Sequence, residues 1–162
     1  MSYSIRVRYL DASALVKLVV DEGDCEPLRT FYNSNCHFCA TSVCLVEALG
    51  VIKGKWLRKS LTEDQYIAAS HQLIANAQSI EIDNVELFAP ASFNTLENLV
   101  RKYQIDFSDA LQLETIIRGT YSHFTNDSAS VLITADKGLA DAAEKENIRV
   151  WNCIKSLLPD WV

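Results

Sequence analysis

Apolar positions dominate Ile5 to Leu10, broken only by Arg6 and Arg8, and stop at Asp11. This reads as a strand with one face less buried at the arginine end. Ala14, Leu15, Leu18 and Val19 then form an apolar stripe at helical spacing, which Asp21-Glu22-Gly23-Asp24 breaks. Cys25 to Asn33 follows as a second helix with Leu28, Phe31 and Tyr32 facing in, and Asn33-Ser34-Asn35 is a turn signal. Cys36 to Ala40 is a short apolar strand, and Thr41-Ser42 caps a helix over Val43 to Ile52. Thr62-Glu63-Asp64-Gln65 has the form of a capping box for a long helix through Ala77. Ile80 to Ile82 alternates as a brief strand, and Phe88 to Tyr103 is helical, with Pro90 placing its firm start near Ala91. Asp106-Phe107-Ser108-Asp109 opens a helix over Ala110 to Arg118 that Gly119 closes, and Tyr121 to Ser130 is a polar loop. Val131 to Thr134 is the cleanest buried strand, Leu139 to Glu146 a helix, and Ile148 to Trp151 the last strand.

Strands alternating with helices imply an α/β fold whose parallel sheet carries helices on both faces. No repeat, low-complexity tract or linker interrupts the pattern, so residues 1–162 read as a single domain. In such sheets the carboxyl ends of the strands form the ligand crevice. Asp11, at the end of the first strand, would stand there.

Composition narrows the field. The chain is 49% hydrophobic and 22% charged, which excludes a disordered chain. A net charge of -6 excludes nucleic-acid binding by overall basicity, so a phosphate substrate would need a local basic patch or a bound cation. No stretch has the apolar core of a signal peptide or the length of a membrane span. Five cysteines without such a signal read as reduced thiols in a cytoplasm.

Three further acids fall near that crevice: Asp136, two residues beyond Thr134; Asp109, in the first turn of its helix; and Glu47, inside an apolar helical stretch. Carboxylates with no His or Cys partner suit Mg²⁺ or Mn²⁺ better than zinc. The chemistry most often done at such a centre is phosphodiester hydrolysis. Singly, each acid has a structural reading. Asp106 and Asp109 could cap one helix, Asp136 the next, and Glu47 could lie on a solvated face. Their joint placement favours a site.

With these pieces in order, the chain resembles the PIN-domain proteins, most of all the VapC-type ribonuclease toxins of bacterial toxin–antitoxin pairs. The matching segments are Leu10-Asp11-Ala12-Ser13-Ala14-Leu15, the Glu47 helix, Asp109-Ala110-Leu111 and Leu132 to Leu139. The resemblance implies a three-layer α/β/α sandwich with a mainly parallel sheet and Mg²⁺- or Mn²⁺-dependent endoribonuclease activity. It makes Asp11, Glu47, Asp109 and Asp136 the metal-binding set, with Ser13 and Thr134 as supporting hydroxyls. It also implies a cognate antitoxin and a homodimer. Leu15, Leu18, Val19, Leu28 and Phe31 are candidates for the antitoxin groove. The loop from Tyr121 to Ser130 is longer than in the compact toxins. Two rival functions are a catalytically silent PIN-like module that binds RNA or protein, and a hydrolase of small phosphate esters.

Two other features bear on chemistry. Lys53, Lys55, Arg58 and Lys59, with Trp56 among them, could contact RNA phosphates or stack a base; a solvated turn around a core tryptophan is the equal alternative. Cys36 and Cys39 have C-x-x-C spacing, with His37 and Cys44 nearby. Positions three apart on a strand face opposite ways, so this pair is expected to be core thiols, with no stoichiometric zinc. His71 and His123 fall in no nucleophile motif.

Overall fold

A computed structural model describes residues 6–34, 36–87 and 89–162. Ile5, Asn35 and Phe88, read above as strand, turn and helix start, lie outside the described residues. The strands are β1 (Val7–Leu10), β2 (His37–Ala40), β3 (Glu81–Ile82), β4 (Val131–Thr134) and β5 (Arg149–Asn152). The helices are α1 (Ala12–Val19), α2 (Glu26–Tyr32), α3 (Ser42–Leu57), α4 (Glu63–Ala77), α5 (Pro90–Tyr103), α6 (Phe107–Arg118) and α7 (Lys137–Lys145).

All strand pairs are parallel, in the order β3-β2-β1-β4-β5. Period-two alternation sorts the strand residues between two cores. Leu10, Phe38, Ala40, Val131 and Ile133 face one, packed under α1 to α4. Val7, Tyr9, Cys39 and Leu132 face the other, under α5 to α7. The result is a three-layer α/β/α sandwich. Arg8, on the first face, covers the Phe31 ring at 5.5 Å, so aromatic packing shields the arginine end of β1.

The chain builds β1, β2 and β3 outward in one direction, then returns to place β4 on the other side of β1. The topological switch point therefore lies between the carboxyl ends of β1 and β4, the place where open α/β sheets bind ligands. Asp11 and Asp136 follow those two strands.

Two elements differ from the sequence expectation. Helix α3 continues through the basic run to Leu57 rather than ending at Ile52. Lysine is a good helix former, and Trp56 stacks on Tyr66 of α4 at 4.8 Å, which fastens the extra turn. The polar loop after α6 contains a 3₁₀ turn at Asn126–Ser128. The capping box at Thr62 and Gln65 is present in both of its hydrogen bonds.

Candidate metal-binding active site

Asp11 is 3% exposed and caps α1, accepting a hydrogen bond from the Ala14 N–H at 2.8 Å. Ser13 Oγ donates to it at 2.8 Å, and Thr134 Oγ1, at the end of β4, donates at 2.7 Å. These hydroxyls are held in turn: the Ala135 N–H donates to Ser13 and the Asp136 N–H to Thr134. The two supporting hydroxyls thus lock the end of β1 to the end of β4 around one carboxylate. Burial pushes the Asp11 carboxyl up to about 6, opposed by the bonds from Ala14, Thr134 and Ser13 and assisted by the charge of Asp136.

Asp109 projects from the first turn of α6, on the helix layer opposite α1. Neither it nor Asp106 makes a side-chain cap there, so the capping alternative fails for this pair. Burial pushes the Asp109 carboxyl up to about 7, and the charges of Asp11, Asp136, Glu47 and Asp106 all push the same way. Asp136 does cap its helix, accepting from the Leu139 N–H at 2.8 Å, and it adds to the field on both Asp11 and Asp109. Glu47 is half-buried on α3. The four acids predicted from sequence therefore act on one another from four separate elements.

None of the four pairs with a Lys, Arg or His among the described residues. An uncompensated set of hard oxygen donors fits a divalent cation such as Mg²⁺ or Mn²⁺. The set is a wide cradle. Among the described residues, no three of these carboxylates bring oxygens within 4.8 Å of one another, whereas His37, Cys39 and Glu81 bring their donor atoms that close. A wide cradle suits Mg²⁺, which keeps several waters and takes few direct protein ligands.

Beneath the acids lies a pair that sequence reasoning missed. Cys44 Sγ of α3 donates to Gln112 Oε1 of α6 at 3.0 Å, bridging the two helix layers. Burial pushes the Cys44 thiol up to about 12, with Asp11 and Glu47 adding to the rise. The i, i+3 spacing from Asp109 to Gln112 was the available signal, because both lie on one side of α6. Beside Asp109, Val43, Leu87, Phe93, Phe107 and Leu111 line an apolar cleft of about 520 Å³. Phe93 and Phe107 are exposed there and stack at 6.0 Å.

The basic run is only partly available. Lys55 is tied to Glu22 at 2.5 Å, and Trp56 gives one ring face to Tyr66. Lys53, Arg58 and Lys59 are exposed, but Lys53 stands about 9 Å and Lys55 about 12 Å along α3 from Glu47. The proposed antitoxin groove is closed by this chain itself: Leu15, Leu28 and Phe31 are core residues, and Leu18 and Val19 are half-buried. Cys36 and Cys39 pack against opposite cores, as strand alternation requires, and no disulfide joins them.

No family model and no curated protein matches the chain in sequence. Among solved structures it is similar to PAE2754 from Pyrobaculum aerophilum, with a TM-score of 0.62 and 17% identity over 91% of this chain and 83% of that one. This likeness shows the α/β/α fold. No helix among the described residues is long and apolar enough to cross a membrane.

Proposed function

We propose that the protein is a Mg²⁺- or Mn²⁺-dependent endoribonuclease of the PIN class, acting as the toxin of a toxin–antitoxin pair. The observation that carries this reading is the convergence of Asp11, Glu47, Asp109 and Asp136 on one crevice, with no basic partner among the described residues and with Asp109 pushed up to about 7. Asp11 and Asp109 hold the cation directly, and Glu47 and Asp136 complete its charge and orient its waters. The bound ion lowers the pKa of water and stabilises charge on the phosphate oxygens. Ser13 and Thr134 keep the Asp11 carboxylate oriented, and their hydrogen bonds favour its ionised form. The apolar cleft with Phe93 and Phe107 gives an unstacked base a surface beside Asp109, which favours single-stranded RNA over a small phosphate ester.

The test pairs a Mn²⁺ titration with cleavage assays on single-stranded RNA and on a model phosphomonoester. The proposal expects saturable metal binding that depends on Asp109, and hydrolysis of the RNA alone. Metal binding without hydrolysis would favour the silent RNA- or protein-binding module, and hydrolysis of the monoester alone would favour the small-ester hydrolase.

A further inference from the structure

A second cluster lies at the β3 edge of the sheet. Cys39 of β2 sits beside Glu81 of β3 in register, and His37, two residues before Cys39, points to the same face. His37 Nε2 is 2.7 Å from Glu81 Oε2 and 3.9 Å from Cys39 Sγ. Cys39 pairs in register with Tyr9, two residues before Asp11, so the thiol lies about 7 Å back from the acid crevice along the strands, and His37, level with Val7, about 13 Å back.

The surroundings are arranged as a supported site. The Tyr121 hydroxyl donates to Glu81 at 2.7 Å, and its ring meets the His37 ring edge-on at 5.3 Å. Asp83, two residues beyond Glu81 and 6% exposed, accepts from the hydroxyls of Tyr9 at 2.7 Å and Thr120 at 2.8 Å, and from the Thr120 N–H at 3.2 Å. Neither Glu81 nor Asp83 pairs with a Lys or Arg among the described residues. His37 therefore meets the Glu81 carboxylate and the buried Cys39 thiol at one point on the sheet.

We propose that His37, Cys39 and Glu81 bind Zn²⁺ through Nε2, Sγ and a carboxylate oxygen, with the Tyr121 hydroxyl holding the Glu81 carboxylate in place. Nitrogen, thiolate and carboxylate are zinc's preferred donors, and a tetrahedral ion sets its nitrogen and oxygen ligands about 3.3 Å apart. The 2.7 Å hydrogen bond between His37 and Glu81 opens to that separation as the ion displaces the shared proton to solvent. The Cys39 thiol gives its proton to solvent and becomes the thiolate ligand. The side chains of His37 and Glu81 are 37% and 44% exposed, so the fourth position opens to water. The site also gives the long loop after α6 a role, since Tyr121 comes from its first position. It runs against the sequence expectation of core thiols without stoichiometric zinc, which rested on the spacing of Cys36 and Cys39 and not on the neighbours of Cys39 across the sheet.

Cobalt(II) is the probe, because thiolate ligation produces a sulfur-to-metal charge-transfer band that carboxylates alone do not. Titrated into the full chain, it should give this band at one equivalent, and Zn²⁺ should displace it. Asp109→Asn and Cys36→Ser should keep the band; Cys39→Ser should abolish it. Glu81→Gln, at an exposed position, should lower affinity without disturbing the fold, and Tyr121→Phe should lower it by roughly 10–100-fold. Absence of the band in the wild-type chain, its loss in Cys36→Ser, or unchanged affinity in Glu81→Gln would overturn the proposal.

Discussion

Replacing Asp109 by Asn tests the electrostatics of the acid crevice without any assumption about substrate. The substitution keeps shape and removes one charge from a site where the other acids all oppose it. An aspartate that ordinarily titrates at 3.8 is held at about 7 in the fold. Its value is raised, so the stabilising contribution of its protonated form is complete below about pH 4 and is lost as pH rises through about 7. Ionising it at about pH 8 costs the metal-free fold at most about 4 kcal/mol. Partial exposure of the side chain and screening by solvent reduce this to about 1–2 kcal/mol. For a chain of this size the variant should melt about 2–8 °C higher at about pH 8 in the presence of a chelator. The gain should shrink towards zero near pH 4. Added Mg²⁺ should stabilise the wild type more than the variant, reversing part of the difference by mass action. Thermal denaturation across pH, followed by circular dichroism, reads all of this. A variant that is less stable at about pH 8, or a difference that does not change with pH, would refute the reasoning.

Three further outcomes follow from named contacts. Thr134→Val removes the hydroxyl that donates to Asp11 and accepts from the Asp136 N–H, so Asp11 should titrate higher and the acidic limb of the cleavage profile should move to higher pH, with a stability loss of about 1–3 kcal/mol. Gly119→Ala would place a methyl 2.3 Å from the Thr115 carbonyl oxygen and 2.8 Å from Asp83, so a loss of about 1–3 kcal/mol is expected in chemical denaturation. Lys55→Ala should leave the salt dependence of RNA binding nearly unchanged, because that ammonium is held by Glu22, whereas Lys53→Ala should lower it.

The features legible in the sequence were those that local pattern dictates. A strand that stops at Asp11 and turns into a helix, and the all-apolar Val131 to Thr134, are visible because side-chain period and caps are local properties. Alternation along β2 also separated Cys36 from Cys39 correctly. What sequence could not show is lateral. Which strand lies beside Cys39, and in what register, depends on β3 arriving 42 residues later, so the meeting of His37 with Glu81 left no local trace. The Lys55 to Glu22 ion pair and the Cys44 to Gln112 bridge are hidden for the same reason. The end of α3 was placed too early because a run of charges resembles a turn until Tyr66 is present for Trp56 to stack on. The groove candidates Leu15, Leu28 and Phe31 are apolar because they belong to this chain's own core, packed with residues of α3, α4 and the sheet.

The most direct measurement of the central claim is metal-dependent cleavage of single-stranded RNA by wild type, Asp11→Asn and Asp141→Asn, each verified as folded and free of contaminating nuclease. Asp141 pairs with Lys137 on α7 and takes no part in the acid crevice, so its variant is the control. The account predicts cleavage that requires Mg²⁺ or Mn²⁺, a loss of roughly 10–100-fold or more in Asp11→Asn, and none in Asp141→Asn. Cleavage by Asp11→Asn at the wild-type rate, or the absence of metal-dependent cleavage by the wild type, would contradict it.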